Sequence, residues 1–319
     1  MVDFERNGLN VTRLSTDIPF GAIVHGLTLE CLEREATRRA LYDLWIAEGV
    51  VVFEGVEGEE MQLKLSRCFG KLITHPTREA RADHPALMTV RYQPEDGWLL
   101  AVNGEKRGSW LPWHSDLIYV DRINHGGVLR PLKLPSAFGE TGFIDKILAY
   151  DALPDRLKTM IEGLDVIYKY DLDPAHQRFG RTADVTVERY TDGILSIQNR
   201  LDEFPRVIHP MVYVQPGTNR KVLNVSPWFA VGIHGMENAE GDALLEEVAQ
   251  HIVHSPDIYM HRWTMGQMVL WDNWRVLHSS TGCPPNEERW MLRTTIEGDY
   301  GLGRTERNVE TDRSRYISV

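Results

Sequence analysis

The last third of the chain constrains its fold most. Residues 262–265, 267–271, 275–278 and 289–296 are short runs rich in Trp, Val, Leu and Thr, punctuated by Gly266 and by Asp272-Asn273. Runs of this length, bounded by turn formers, read as strands. Earlier segments follow the same pattern. Residues 49–53 form a β-branched run, which reads as a buried strand. Further strands are expected at 111–120, 128–134 (interrupted by Pro131), 139–144 and 166–170, and a hairpin at 207–213 with 221–225 across Pro216-Gly217. Helical spacing is confined to 33–48, 59–69, 145–163 with a break at Pro154, and 238–253 with Asn238 as its N-cap. Many short strands with few helices indicate a mainly β fold with flanking helices (α+β). Its core is expected to be a double-stranded β-helix, or jelly roll.

Within that frame, Trp113-His114-Ser115-Asp116 stands out. In an extended strand, residues two apart project from one face, so His114 and Asp116 would aim a nitrogen and a carboxylate oxygen at one point. Alone, His-x-Asp is a weak signal, because such pairs are often hydrogen-bonded surface neighbours. A second histidine, His278, lies in the strand-rich segment beginning at Trp271. Together the three would make a 2-His-1-carboxylate facial triad, the donor set of non-haem Fe(II) oxygenases.

The strand at 289–296 adds a second constraint. Residues 289, 291, 293 and 295 share one face, so Arg289 and Arg293 point the same way. Two guanidinium groups inside a barrel need anionic partners, since an unpaired buried charge is costly. The planar fork of arginine suits a carboxylate. About 13 Å separates the two α-carbons at the usual strand rise, so two anion sites are expected.

Four patches give the chain a family resemblance: Trp113-His114-Ser115-Asp116; Gly139-Glu140-Thr141; Met268 to Asn273 running on to Val276-Leu277-His278; and Arg289 to Ile296. In order and spacing they resemble the taurine dioxygenase and dichlorophenoxyacetate dioxygenase group (TauD/TfdA) of Fe(II)/2-oxoglutarate-dependent enzymes. The resemblance spans about residues 40 to 300. It implies His114, Asp116 and His278 as catalytic iron ligands, Thr141 and Arg289 as the site for the distal carboxylate of 2-oxoglutarate, and Arg293 as the reader of the substrate's anionic group. It also implies Fe(II), 2-oxoglutarate and O₂ as the reaction's requirements, with succinate and CO₂ formed as the substrate is oxidised. The carboxylate ligand favours hydroxylation over halogenation. Two departures concern the substrate. Trp110 stands where the family often has Asn, implying an apolar body on the substrate, and the run Gly126 to Pro131 is unusual.

Two other readings use the same residues: a zinc hydrolase with a bound water, which leaves the arginines without a purpose, and a non-catalytic small-molecule sensor. Composition bounds the rest. A net charge of −11 argues against nucleic-acid binding, and no apolar run approaches the length a membrane helix needs. Three widely spaced cysteines favour reduced thiols in a cytoplasm. The 319 residues are read as one domain, with a lid or insertion at about 171–206 and a loose tail from about 300. A small-molecule substrate is the expected partner, and a homo-oligomer is compatible with the sequence.

Overall fold

In the computed structural model, residues 9–74, 81, 83–199, 201 and 204–307 are described. Two sheets form the core. The larger runs, in spatial order, Asn10–Arg13, Ala22–His25, Val50–Glu54, Gln267–Asp272, Gly126–Lys133, Arg289–Ile296 and Leu72–Ile73, with Met88–Tyr92 also paired to Arg289–Ile296. The smaller runs Ile258–His261, Thr141–Asp145, Val276–Ser280 and Leu111–His114. Neighbours in space are distant in sequence, as in Gln267–Asp272 lying between Val50–Glu54 and Gly126–Lys133. This is the jelly roll expected from the pattern of short strands.

Side-chain alternation builds the layers. Val50, Val52, Val269, Trp271 and Met291 of the larger sheet pack with Phe143 and Val276 of the smaller, filling the space between the sheets. Val51, Phe53, Met268, Leu270, Leu292 and Ile296 point the other way, onto Leu41 and Trp45 of the helix Glu35–Glu48 and Leu63 and Leu65 of the helix Glu59–Arg67. Period-two strands buried on both faces thus read as continuous apolar runs. Gly126 and Gly127 belong to this packing. A Cβ on Gly127 would lie 2.8 Å from the Trp271 ring, and one on Gly126 2.4 Å from the Trp271 carbonyl oxygen. The Gly126-Gly127 pair therefore lets the Trp271 strand approach.

Several boundaries differ from expectation. The strand expected over 111–120 ends at His114, because Asp116 to Tyr119 form turns and Leu117 takes a left-handed φ of 54°. The helical segment 145–163 divides into Lys146–Ala152 and Asp155–Ile161 on either side of Pro154. Asn238 caps Ala239–Val253, its Oδ1 accepting from the N–H groups of Glu240 and Gly241. The segment 171–206 holds more structure than a loop. Val185–Arg189 pairs with Leu99–Val102, which in turn pairs with Glu105–Gly108, and Asp192–Gln198 is a helix with no buried residue. Residues 200, 202 and 203 of that segment lie outside the described residues, as does the tail from 308. The first part of the tail expected to be loose from about 300 is instead paired, Arg304–Thr305 lying antiparallel to Val207 and Ile208. No helix among the described residues is long and apolar enough to cross a membrane.

Candidate active site

The three proposed ligands meet through strand register. His114 and His278 are direct partners across the antiparallel pair Leu111–His114 and Val276–Ser280, with ring centroids 4.2 Å apart. Cross-strand neighbours share a face, so both imidazoles point into the same space. Asp116 arrives by another route. It sits in the turn after the strand, held from behind by Asn273, whose Oδ1 accepts from the Asp116 N–H at 2.7 Å and whose Nδ2 donates to the Asp116 carbonyl at 2.9 Å. That amide clamp also joins the two sequence patches that carry the ligands. The His278 Nε2 lies 3.5 Å from Asp116 Oδ2, and the His114 Nε2 4.0 Å from Oδ1. One donor atom from each residue falls within 4.8 Å of the others, the one such cluster of three among the described residues.

The protonation states suit coordination. His114 Nδ1 lies 2.7 Å from the Pro112 carbonyl, which can only accept, so the proton sits on Nδ1 and the Nε2 lone pair faces the cluster. Burial, then the neighbouring His278, pushes the His114 pKa down to about 3, keeping the ring neutral. Burial alone would raise the Asp116 carboxyl, but Arg293 and His278 beside it hold it well below the usual carboxylate range. A neutral His114 imidazole and an ionised Asp116 carboxylate are the forms in which such groups bind a divalent metal.

Both arginines enter from the facing sheet, as their shared strand face requires. Arg289 is 5% exposed, and its one hydrogen bond among the described residues is from Nε to the Gly139 carbonyl at 3.3 Å. No carboxylate among the described residues pairs with it, and burial pushes its pKa down to about 10. Thr141 lines the same cavity, and its Oγ1 accepts the indole N–H of Trp263 at 3.0 Å. Arg293 has a protein partner. Its Nη1 and Nη2 donate to the two Asp116 oxygens at 3.1 and 2.7 Å, over the Trp271 ring, while its buried Nε has no partner. The expectation of two arginines each awaiting an outside anion therefore needs correcting, because Arg293 already lies against a carboxylate.

Trp110 needs a correction too. It is half-buried against the edge of a core cluster and is absent from the cavity lining. The wall beside His114 is built instead by Trp228, 5.2 Å away edge-on, with Phe229, Tyr119, Tyr170 and Phe204 behind it. These rings come from segments scattered over about a hundred residues, and no local motif marks them. The cavity they help enclose measures about 1270 Å³ and reaches His114, Asp116, His278, Thr141, Arg289 and Arg293. Pockets for a single small-molecule ligand usually measure roughly 300–1,000 Å³, so this one has room for two small ligands.

Comparison with known proteins decides the class. The family described as "Taurine catabolism dioxygenase TauD, TfdA family" matches residues 10–295. The chain belongs to this family. It is 29% identical over 284 residues to a (S)-phenoxypropionate/alpha-ketoglutarate-dioxygenase of Sphingobium herbicidovorans, covering 89% of this chain and 93% of that one. It is 29% identical over 271 residues to an alpha-ketoglutarate-dependent 2,4-dichlorophenoxyacetate dioxygenase of Cupriavidus pinatubonensis, covering 82% and 88%. A crystal structure of a putative taurine dioxygenase from Burkholderia xenovorans superposes with a TM-score of 0.66 at 22% identity, over 98% of this chain and 95% of that one, and shows the same fold. This member of the TauD, TfdA family is an oxidoreductase, a 2-oxoglutarate-dependent dioxygenase, with 2-oxoglutarate and O₂ implied as cosubstrates.

The site fits those requirements on its own chemistry. The His-Asp-His cluster presents borderline nitrogen and hard oxygen donors to a metal and leaves its cavity side open. The buried Arg289 cation lacks a counter-charge and lies in the same cavity as the Thr141 hydroxyl, a pairing suited to a carboxylate.

Proposed function

We propose that this chain is an Fe(II)- and 2-oxoglutarate-dependent dioxygenase that hydroxylates a small organic anion with a bulky, aromatic-sized body. The observation that carries the proposal is the buried Arg289, a cation without a carboxylate partner, in one cavity with the His114, Asp116 and His278 cluster. When bound, Fe(II) would couple O₂ reduction to oxidative decarboxylation of 2-oxoglutarate and oxidation of a substrate C–H bond.

The protein's part is orientation and exclusion of water. His114, Asp116 and His278 would hold the metal. Arg289 and Thr141 would take the distal carboxylate of 2-oxoglutarate, fixing which end of the cosubstrate faces the metal. Arg293 would orient Asp116 through its paired N–H groups and offer its unpartnered Nε side to the substrate's anionic group. The aromatic wall of Trp228, Phe229 and Tyr119 would receive the apolar body beside His114. Two relatives are named for phenoxypropionate and 2,4-dichlorophenoxyacetate, each an aromatic ring bearing a carboxylate, which agrees with such a wall. The three free thiols, Cys31, Cys68 and Cys283, fit a reducing compartment such as the cytoplasm.

The zinc-hydrolase alternative leaves Arg289 without a role. The test is succinate formation from 2-oxoglutarate with Fe(II), ascorbate and O₂, across a panel of aryloxy-carboxylates, aliphatic carboxylates and sulfonates. Stimulation by aromatic acids supports the reading. Absence of succinate with every compound, or hydrolysis by the zinc-loaded protein, would overturn it.

A further inference from the structure

We infer that Trp263 is a positioning residue for the cosubstrate: its indole N–H occupies the acceptor side of the Thr141 hydroxyl, so the hydroxyl proton turns into the cavity toward an anion. The inference rests on the assignment of Thr141 to 2-oxoglutarate and goes beyond it.

A threonine hydroxyl has one proton and two lone pairs, and it rotates to suit its neighbours. Thr141 is 6% exposed, and its hydroxyl has one hydrogen-bond partner among the described residues, the Trp263 indole nitrogen at 3.0 Å. Indole nitrogen only donates, so Thr141 Oγ1 must be the acceptor. Its own proton has no acceptor among the described residues. A buried donor left unmade is costly, and an incoming carboxylate oxygen removes that cost. Without the indole N–H the hydroxyl would be free to rotate, and part of its interaction with the anion would go to fixing it.

The indole is itself held firmly. Trp263 follows the strand Ile258–His261, whose His261 pairs in register with Thr141. The His261 ring meets Trp263 edge-on at 4.5 Å with an interplanar angle of 89°. His261 Nδ1 is in turn held by the Tyr259 hydroxyl at 2.9 Å. Trp263 also packs in the core between the sheets. Tyr259, His261, Trp263 and Thr141 thus form a relay of fixed groups ending in one aimed proton.

A double-mutant cycle tests this with a binding readout. 2-Oxoglutarate is titrated by calorimetry, without O₂, into Fe(II)-loaded wild type, Trp263→Phe, Thr141→Val and the double variant. Loss of one oriented hydrogen bond predicts about fivefold to tenfold weaker binding for either single variant. In the Thr141→Val background, Trp263→Phe should change affinity by less than about twofold, because the hydroxyl it aims is gone. Thr141→Ser, which keeps the hydroxyl, should bind nearly as wild type. In turnover, Trp263→Phe should raise KM for 2-oxoglutarate while kcat at saturation holds. Trp263→Tyr, larger and also lacking the indole N–H, serves if the Phe variant does not fold. An unchanged affinity in Trp263→Phe, with Thr141→Val weakened, overturns the inference. So does an equal loss in both backgrounds, which would mark Trp263 as packing alone. If Thr141→Val binds normally, the Thr141 assignment itself fails and the inference falls with it.

Discussion

Replacing Arg289 by Met should weaken 2-oxoglutarate binding and, in the ligand-free protein, raise the melting temperature. Both effects come from one circumstance. Arg289 is 5% exposed and, among the described residues, hydrogen-bonded only to the Gly139 carbonyl. Its pKa falls from 12.5 to about 10 through burial, equivalent to roughly 3 kcal/mol at about 1.4 kcal/mol per unit. The cation stays protonated at neutral pH, so the folded protein carries that cost until an anion arrives. Replacing uncompensated buried charge by an apolar side chain of similar volume is neutral or stabilising by about 1–4 kcal/mol. For a chain of this size that is a rise of about 2–8 °C. The same substitution removes the partner of a desolvated carboxylate, costing about 2–5 kcal/mol of binding, so the dissociation constant should rise by roughly 30-fold or more. Scanning fluorimetry with and without 2-oxoglutarate, and calorimetry for affinity, read the two effects separately. A lower melting temperature in the ligand-free Met variant would show that the cation is compensated inside the protein. An unchanged affinity would remove Arg289 from the cosubstrate site.

Further outcomes follow from the same geometry. Ala at His114, Asp116 or His278 should abolish turnover and greatly weaken Fe(II) or Mn(II) binding by titration; full activity in His278→Ala would disqualify the third ligand. Arg293→Gln removes both N–H bonds to Asp116, so metal affinity should fall along with substrate affinity; a change in KM for 2-oxoglutarate alone would mean that the roles of the two arginines are exchanged. Tyr119→Ala and Phe229→Ala should raise KM for aryloxy-carboxylates more than for short aliphatic acids, and equal effects on both would exclude an aromatic subsite. Acid should destabilise the protein below about pH 6.5, the ordinary histidine value. Burial holds His209 near 4 and His125 near 3, so the unfolded chain takes up protons there that the folded one does not. Stability present above that value is then lost as pH falls, by up to about 3 kcal/mol for His209, and His209→Gln should flatten the chemical-denaturation profile between pH 6.5 and 4.

The parts of the site legible in the sequence were those fixed by strand periodicity. A period of two placed Arg289 and Arg293 on one face, and the same alternation sends Met291 into the sandwich and Leu292 toward the helices. The same rule, applied to His114 and Asp116, brings the two together, as the structure does, but for an incomplete reason. His114 does end a strand, but Asp116 is aimed by a turn that Leu117 opens with a positive φ and that Asn273 clamps. The strand rule needs backbone geometry to persist for two residues, and nothing in Ser115-Asp116 says that it will not. The Asn103-Gly104 hairpin between Leu99–Val102 and Glu105–Gly108 was legible and passed over, for both residues adopt the positive φ such a turn requires.

The aromatic wall beside His114 was not legible, and the reason is physical. Tyr119, Tyr170 and Phe204 come from separate turns and loops, and Trp228 and Phe229 from the short 3-10 helix Pro227–Phe229. Each alone reads as ordinary core, as aromatic residues usually are. Only the closed jelly roll brings them beside His114. Trp110 drew attention because it lies four residues before a ligand, yet four residues in an extended segment carry a side chain more than ~10 Å along the chain. Spacing within a strand is a fair guide to the candidate metal site, although its two histidines, far apart in sequence, meet only through strand register. It is a poor guide to the aromatic wall, which is assembled from turns, loops and a short 3-10 helix of separate parts of the chain. The rings around the His-Asp-His cluster can therefore vary without disturbing the strands that carry the cluster and Arg289, and the chemistry of this chain is easier to read than its substrate.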